Sequence, residues 1–438
     1  MNYFQPFSLS TDETIVAAWD SQVAQAAETP WLEHTLLARC GELFPRFAEC
    51  YAQLRALPRG ARRALQRQLA RSQELAACLP EWGRGAAGVM LQRKLARSLA
   101  GAALLLALGQ GVAQAGTINV TAKTPPAINS DGKCSLSEAI VNANHGYDYY
   151  SDCSGATIGA NTITLPKGTQ SLTVIDNSTY GATGLPVIAS SITIQGNSSK
   201  IIRSSSAPSF RVFAVGVYSY LTLQNVTVSG GSTGGNGGAI LNYGYTTISG
   251  STISKNTATR GGAIFNAAAY PGTPGTLIIN DSIITGNLAS VDGGGLNSAG
   301  YYADVAINSS TFSKNSAGRD GGGIAAFDGG YLLIRDSTIS GNKAVRDGGG
   351  VFHYGYTTGF FNLVIDNSIL SKNSSMYGGG VCDIFGNFHL YNSTIASNKA
   401  TVSGGGVLHY NSLTPYNFTG NVFLKNKAPY FPNISFTF

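Results

Sequence analysis

The chain has 438 residues, a net charge of +6, 55 glycines and only 12% charged residues, while 43% are hydrophobic. Charge this thin, with no basic stripe after residue 115, excludes a nucleic-acid partner, which needs several phosphates neutralised along one face. Glycine well above its usual ~7% beside an ordinary apolar content excludes disorder and points to a glycine-punctuated fold.

Residues 1–89 are rich in Ala, Leu and Arg and predict a helical N-terminal extension. Ser10-Thr11-Asp12-Glu13 reads as a helix start, Trp31, Leu32, Leu36, Leu37 and Cys40 keep helical spacing, and Arg59 to Arg71 is a basic stretch best read as a solvated helical face. Residues 90–115 then read as a signal peptide. Arg93, Lys94 and Arg97 supply the positive start, Leu99 to Leu108 the apolar core, and Ala113-Gln114-Ala115 a small-x-small cleavage site, so the mature chain is expected to begin at Gly116. The apolar run is short for a ~30 Å hydrocarbon core, so membrane contact is expected only in transit. Two explanations stay open for residues 1–89: a real extension of the export signal, or translation that begins at Met90.

Residues 116–220 predict an N-terminal cap and the first, less regular rungs of a solenoid. Ile163-Thr-Leu165, Leu172-Thr-Val174 and Ile192-Thr-Ile194 alternate like strands, and Leu136 to Ala143 suits an amphipathic helix laid across the open end. Cys134 and Cys153 enclose a short polar loop in an exported chain, which predicts a disulfide. Cys382 has no partner and reads as a small buried hydrophobe.

Residues 221–438 repeat one phrase. An apolar residue, Ile, Leu or Phe, is followed three positions on by Asn at Asn256, Asn287, Asn315, Asn342, Asn373 and Asn398, each followed in turn by a glycine cluster, and Phe423-Leu-Lys-Asn426 is the last copy. A period near 28 residues without helical spacing describes a unit that buries its apolar face only by stacking. The fold expected is all-β: a right-handed, single-stranded parallel β-helix of about ten or eleven rungs ~4.8 Å apart. In that scheme each Asn is a turn or ladder residue bonding backbone and the Asn one rung away, even where it falls in an Asn-x-Ser/Thr string, and the glycines allow positive φ at the next bend.

Two signatures carry a resemblance. Cys134-Ser-Leu-Ser-Glu-Ala-Ile140, with Asn142, Asn144 and Cys153, resembles the "CSLREAI" segment that opens many bacterial secreted β-helix proteins. Gly-Gly-Ala-Ile at 237–240 and 261–264, with Phe312-Ser-Lys-Asn315, is similar to the paired repeats of chlamydial polymorphic outer-membrane proteins. The resemblance implies a bacterial β-helix at the cell surface or outside the cell, and adhesion. In that family a C-terminal barrel delivers the repeats; here the repeats run to Phe438, which leaves anchoring open.

Three columns could carry chemistry. Asp292, Asp320 and Asp347 each precede a glycine triplet, with Arg319 and Arg346 beside the last two. Stacked carboxylates suit Ca²⁺ with an acidic sugar or a glycosidase pair, and Arg is the base in pectate-lyase-like β-helices by resemblance; Asp before Gly is also an ordinary turn residue. His353, Asp383 and His409 share one register, where other rungs carry Asn242, Asn266, Ser298 and Ala326. They could hold a metal or share protons, or be scattered at a variable surface position. Tyr243, Tyr245, Tyr301, Tyr302, Tyr354, Tyr356 and Tyr410, with Phe327 and Phe385, could stack on sugar rings or on one another. The function expected is non-catalytic adhesion or glycan binding along the flank of a monomer, with no resident cofactor. The alternative is a polysaccharide lyase or glycoside hydrolase.

Overall fold

The computed structural model describes residues 115–121, 131–268, 275–328, 330–355, 362–410 and 416–437. The predicted helical extension, all of the signal segment but Ala115, and Tyr356 lie outside the described residues.

Alternating β-branched residues cannot bury both faces alone, and they stack here into a parallel β-solenoid of three sheets with 19, 6 and 9 strands. One rung shows the pattern. Val305–Asn308 leads to a bend at Ser309 and Thr311–Ser313, both in the first sheet; a second bend at Lys314 leads to Ser316–Ala317 in the second; Gly321 turns the chain into Ile324–Phe327 in the third. Every partner one rung on is parallel and in register, as in Val305↔Leu332, Thr311↔Thr338 and Ile324↔Val351. The third sheet counts nine levels; the first counts eleven, from Gly116–Asn119 to Tyr416–Thr419. The expected ten or eleven rungs therefore hold for one face and about nine for the closed turn.

The interior is one apolar column per strand. Ile279, Ile307, Ile334 and Ile365 line the first sheet, Ile284, Phe312, Ile339 and Leu370 its second limb, and Leu296, Ile324, Val351 and Val381 the third sheet, all fully buried. Each such side chain contributes roughly 1.5–3 kcal/mol relative to exposure.

The bends are polar and fully wired. Asn256, Asn287, Asn315, Asn342, Asn373, Asn398 and Asn426 form an unbroken ladder in which each Nδ2 donates to the next Oδ1 at 2.9–3.1 Å. Each Oδ1 also accepts the backbone N–H of the Asn below, so bend groups that would be orphaned are paired. A second ladder, of Ser251, Ser282, Ser310, Ser337, Ser368 and Ser393, was not separated from the repeat phrase by sequence. From Ser282 on, each hydroxyl accepts the N–H of the serine one rung below at 3.0–3.1 Å, and the Ser251 hydroxyl accepts that of Val226 at 3.2 Å.

The glycine clusters do two jobs. The first glycine, such as Gly321 or Gly348, adopts φ of 65° or 63°. The second sits where backbones meet: a Cβ at Gly322 would overlap the carbonyl of Gly349, and one at Gly349 that of Gly379.

At the N-terminal end the helix Leu136–His145 (α1) covers the first rungs. Ser135 and Glu138 form a reciprocal capping box, Gly146 ends the helix at φ 74°, and Leu136, Ala139 and Ile140 join the main core. Cys134 and Cys153 are disulfide-bonded with Cα atoms 4.6 Å apart. Cys382 is free and buried.

Candidate functional site

Val351-Phe352, Val381-Cys382 and Val407-Leu408 are apolar at consecutive positions, the mark of a strand covered on both faces. The outer face of the third sheet is indeed buried at Ala325, Phe352, Cys382 and Leu408, which cluster with Phe327, Tyr354, Tyr377 and Ile384. Along one side runs the Asp–Arg column. Along the other run Phe327, Tyr354, Ile384 and Tyr410, in register. The result is a shallow groove with an apolar floor, an ionic wall and a mainly aromatic wall.

The ionic wall is an interlocked ladder. Arg319 clamps Asp292 through Nε at 2.8 Å and Nη2 at 2.6 Å, and Arg346 clamps Asp320 in the same way at 2.9 and 2.5 Å. Each arginine also reaches its own neighbour, Arg319 to Asp320 at 3.2 Å and Arg346 to Asp347 at 3.0 Å. Arg260, which the sequence reading passed over, reaches Asp292 from below at 3.3 Å. Its signal was its place directly before Gly261, where later rungs carry Asp. Two-point clamps of this kind are the strong form of the contact. They occupy Asp292 and Asp320 with guanidinium, set positive charge where a cation would have to sit, and engage both arginines that could serve as a base.

Burial raises the Asp320 carboxyl above its ordinary range against the pull of Arg346. Asp347 is pushed up to about 6, first by burial and then by the Asp320 charge, with Arg346 opposing. The hydrogen bonds that Arg319 and Arg346 donate to Asp292 and Asp320 raise the two guanidinium groups in turn. Beside Asp347 the groove widens into an open cavity of about 360 Å³ lined by Arg346, Tyr377, Cys382, Ile384, Leu408 and Tyr410, among others.

His353, Asp383 and His409 are in register as expected. They lie inside the solenoid and not on its flank, because they alternate with the outward floor residues. All three are at most 1% exposed. His353 Nδ1 lies 2.5 Å from Asp383 Oδ1, and His409 Nδ1 2.7 Å from Asp383 Oδ2. The carboxylate accepts from both, so each imidazole carries its proton on Nδ1. This is a core bridge over three rungs, and among the described residues no three His, Cys, Asp or Glu converge as a metal site.

The tyrosines do not form one stripe. Tyr354 and Tyr410 meet through Phe385, at 5.9 and 5.7 Å between ring centres. Tyr243 belongs to the same wall further down, beside Tyr180, separated from Phe327 by small residues at Ala267 and Ala299. Tyr245 stacks on Tyr220 at 4.4 Å on the first sheet, and Tyr301 and Tyr302 occupy an exposed turn. Tyr377 lines the cavity although no candidate column included it; it stands at the pre-glycine position that holds Asp347 one rung earlier.

Comparison with known proteins gives one finding. The Chlamydia polymorphic membrane protein repeat matches residues 309–326. Those residues run from the bend at Ser309 through ladder residue Asn315, Arg319, Asp320 and the Gly321 turn into the third sheet. They include Phe312-Ser-Lys-Asn315, so that copy of the phrase is similar to a repeat of this kind. No curated protein and no solved structure matches the chain.

Proposed function

We propose that the protein is exported, stands at the cell surface, and binds glycan without turnover along the outer groove of the third sheet. The observation that carries this reading is the groove itself. An apolar floor faces a partly exposed aromatic wall, and a polar wall of fixed register runs opposite, the composition of a small-ligand site. Aromatic faces take the C–H side of sugar rings, and a rigid solenoid fixes their spacing. The surface location is supported by the signal-like segment that ends at Ala115 and by the repeat match at 309–326. A lyase or hydrolase is the weaker reading because Asp292 and Asp320 are each held two-point by arginine.

Secreted protein is sequenced from its N-terminus and screened on a glycan array and on polygalacturonate and alginate with Ca²⁺. Export through the segment at 90–115 gives Gly116 as the first residue. Binding that weakens in Tyr410→Ala, with no unsaturated product or new reducing ends, supports the reading. Turnover that disappears in Asp320→Ala replaces it with the enzyme.

A further inference from the structure

The Asp–Arg ladder stops one cation short. Asp292 and Asp320 are each held by the guanidinium one rung above, but the residue in register above Arg346 is Met376, whose N–H bonds to the Arg346 carbonyl. Met376 is an exposed side chain without charge. Asp347 keeps only the Arg346 Nε at 3.0 Å, and among the described residues no second cation lies within ion-pair distance of it. The Asp347 side chain is nevertheless 12% exposed and borders the cavity of about 360 Å³.

We propose that this cavity binds the protonated amino group of a glycan built from hexosamine with its nitrogen free, the ligand supplying to Asp347 the cation that Arg319 and Arg346 supply to the rungs below. The inference rests on the glycan-binding reading and names its ligand class. Charge selects the amine, since among the described residues Asp347 is the one carboxylate of the ionic wall without a two-point partner. Shape selects a ring, since the volume falls in the range of small-molecule sites, about 300–1,000 Å³, and exceeds what an isolated cation fills. Tyr377 and Tyr410 offer aromatic faces to the ring or its ammonium, and Cys382 and Leu408 an apolar floor. The ionisable groups facing Asp347 are Arg346, Asp320, Arg319, Tyr377, Tyr410 and Cys382. With its carboxyl at about 6, Asp347 is largely charged at neutral pH and neutral in mild acid. Amine binding should therefore be lost as pH falls.

The test is calorimetry of the secreted protein with a glucosamine tetramer and with its N-acetylated counterpart, near pH 7 and near pH 5. The free amine should bind about ten- to a hundredfold more tightly than the acetylated form, as expected for one charge-assisted contact, and should lose that advantage near pH 5. Asp347→Asn should abolish the preference. Met376→Arg should abolish it too while raising the melting temperature, because the chain then completes its own ladder; this variant decides the matter if Asp347→Asn does not fold. Equal binding of the two tetramers, an amine preference that survives both variants, or binding of methylguanidinium without glucosamine overturns the proposal. Binding of neutral glycans through Tyr410 with no amine preference overturns it and leaves glycan binding standing; no glycan binding at all overturns both.

Discussion

Replacing Asn342 by Leu cuts the amide ladder at its middle, and the damage can be counted bond by bond. Asn342 Oδ1 accepts from the backbone N–H of Asn315 at 2.9 Å and from Asn315 Nδ2 at 3.0 Å. Its Nδ2 donates to the carbonyl of Phe312 at 2.9 Å and to Asn373 Oδ1 at 3.0 Å. After substitution Asn373 Oδ1 still receives the N–H of residue 342, which is backbone. The Asn315 backbone N–H, one of the two N–H groups of the Asn315 amide and the Phe312 carbonyl lose these partners in an interior closed to water, while the other amide N–H keeps the Ile284 carbonyl at 3.0 Å. At about 1–3 kcal/mol for each buried orphan, and with some relaxation, the cost should be about 3–6 kcal/mol. Urea unfolding followed by far-ultraviolet circular dichroism measures it, with Asn308→Leu as control, since the Asn308 side chain sits on the half-buried outer face and bonds only its neighbour Asn280. Because a solenoid transmits stability between adjacent rungs, hydrogen exchange should loosen around residues 312–373 before the helix-capped end. A cost below about 1 kcal/mol, or one equal to the control, would refute the ladder as a source of stability.

Three further outcomes follow from the same geometry. The Asp347 carboxyl is raised to about 6 from an ordinary 3.8, so its contribution to stability is full below about pH 4 and is lost as pH rises through about 6; Asp347→Asn should remove that slope and gain up to about 3 kcal/mol near pH 8, seen by comparing melting curves across pH. Asp383→Ala strands two buried imidazole N–H donors and should cost about 2–5 kcal/mol by denaturant titration, whereas a cost under about 1 kcal/mol would mean that the histidines find other partners. Gly349→Ala places a Cβ against the Gly379 carbonyl and should cost about 3 kcal/mol or more, while alanine at exposed Gly234, which meets nothing, should be nearly neutral; a similar yield and melting point for both variants would refute the close-approach role.

The solenoid was legible because its cause is periodic. The Asn, the glycine cluster and the β-branched residues recur at fixed offsets, and each offset maps to one bend or one strand, so the Asn ladder could be read before any coordinate. The capping helix and the Cys134–Cys153 bond were legible for local reasons, an amphipathic run from Leu136 to Ala143 and a short cysteine loop. The groove was not, because inside and outside alternate residue by residue. His353 and Cys382 belong to adjacent positions on neighbouring third-sheet strands, yet one turns into the core and the other onto the flank. Strand phase alone assigns them, and the double burial of this sheet hides that phase in the hydropathy. The Asp–Arg clamps were missed because Asp320 and Arg346, which bond, are 26 residues apart, while Arg319 and Asp320, adjacent in sequence, make the longer contact. Tyr243, Tyr245 and the Tyr301–Tyr302 pair looked equivalent because spacing from the glycines ignores which of three sheets follows.

The amide ladder also sets the unit in which this protein can change. Each Asn makes the same bonds to the rung below and the rung above, whether the interval to the next is 25 residues or 31. Excising one whole rung therefore brings two matching faces together, amide to amide and glycine to glycine, whereas removing half a rung leaves every bond above the cut facing the wrong partner. Length in such a chain is free to drift by duplication and loss, one turn at a time, while the cross-section stays fixed.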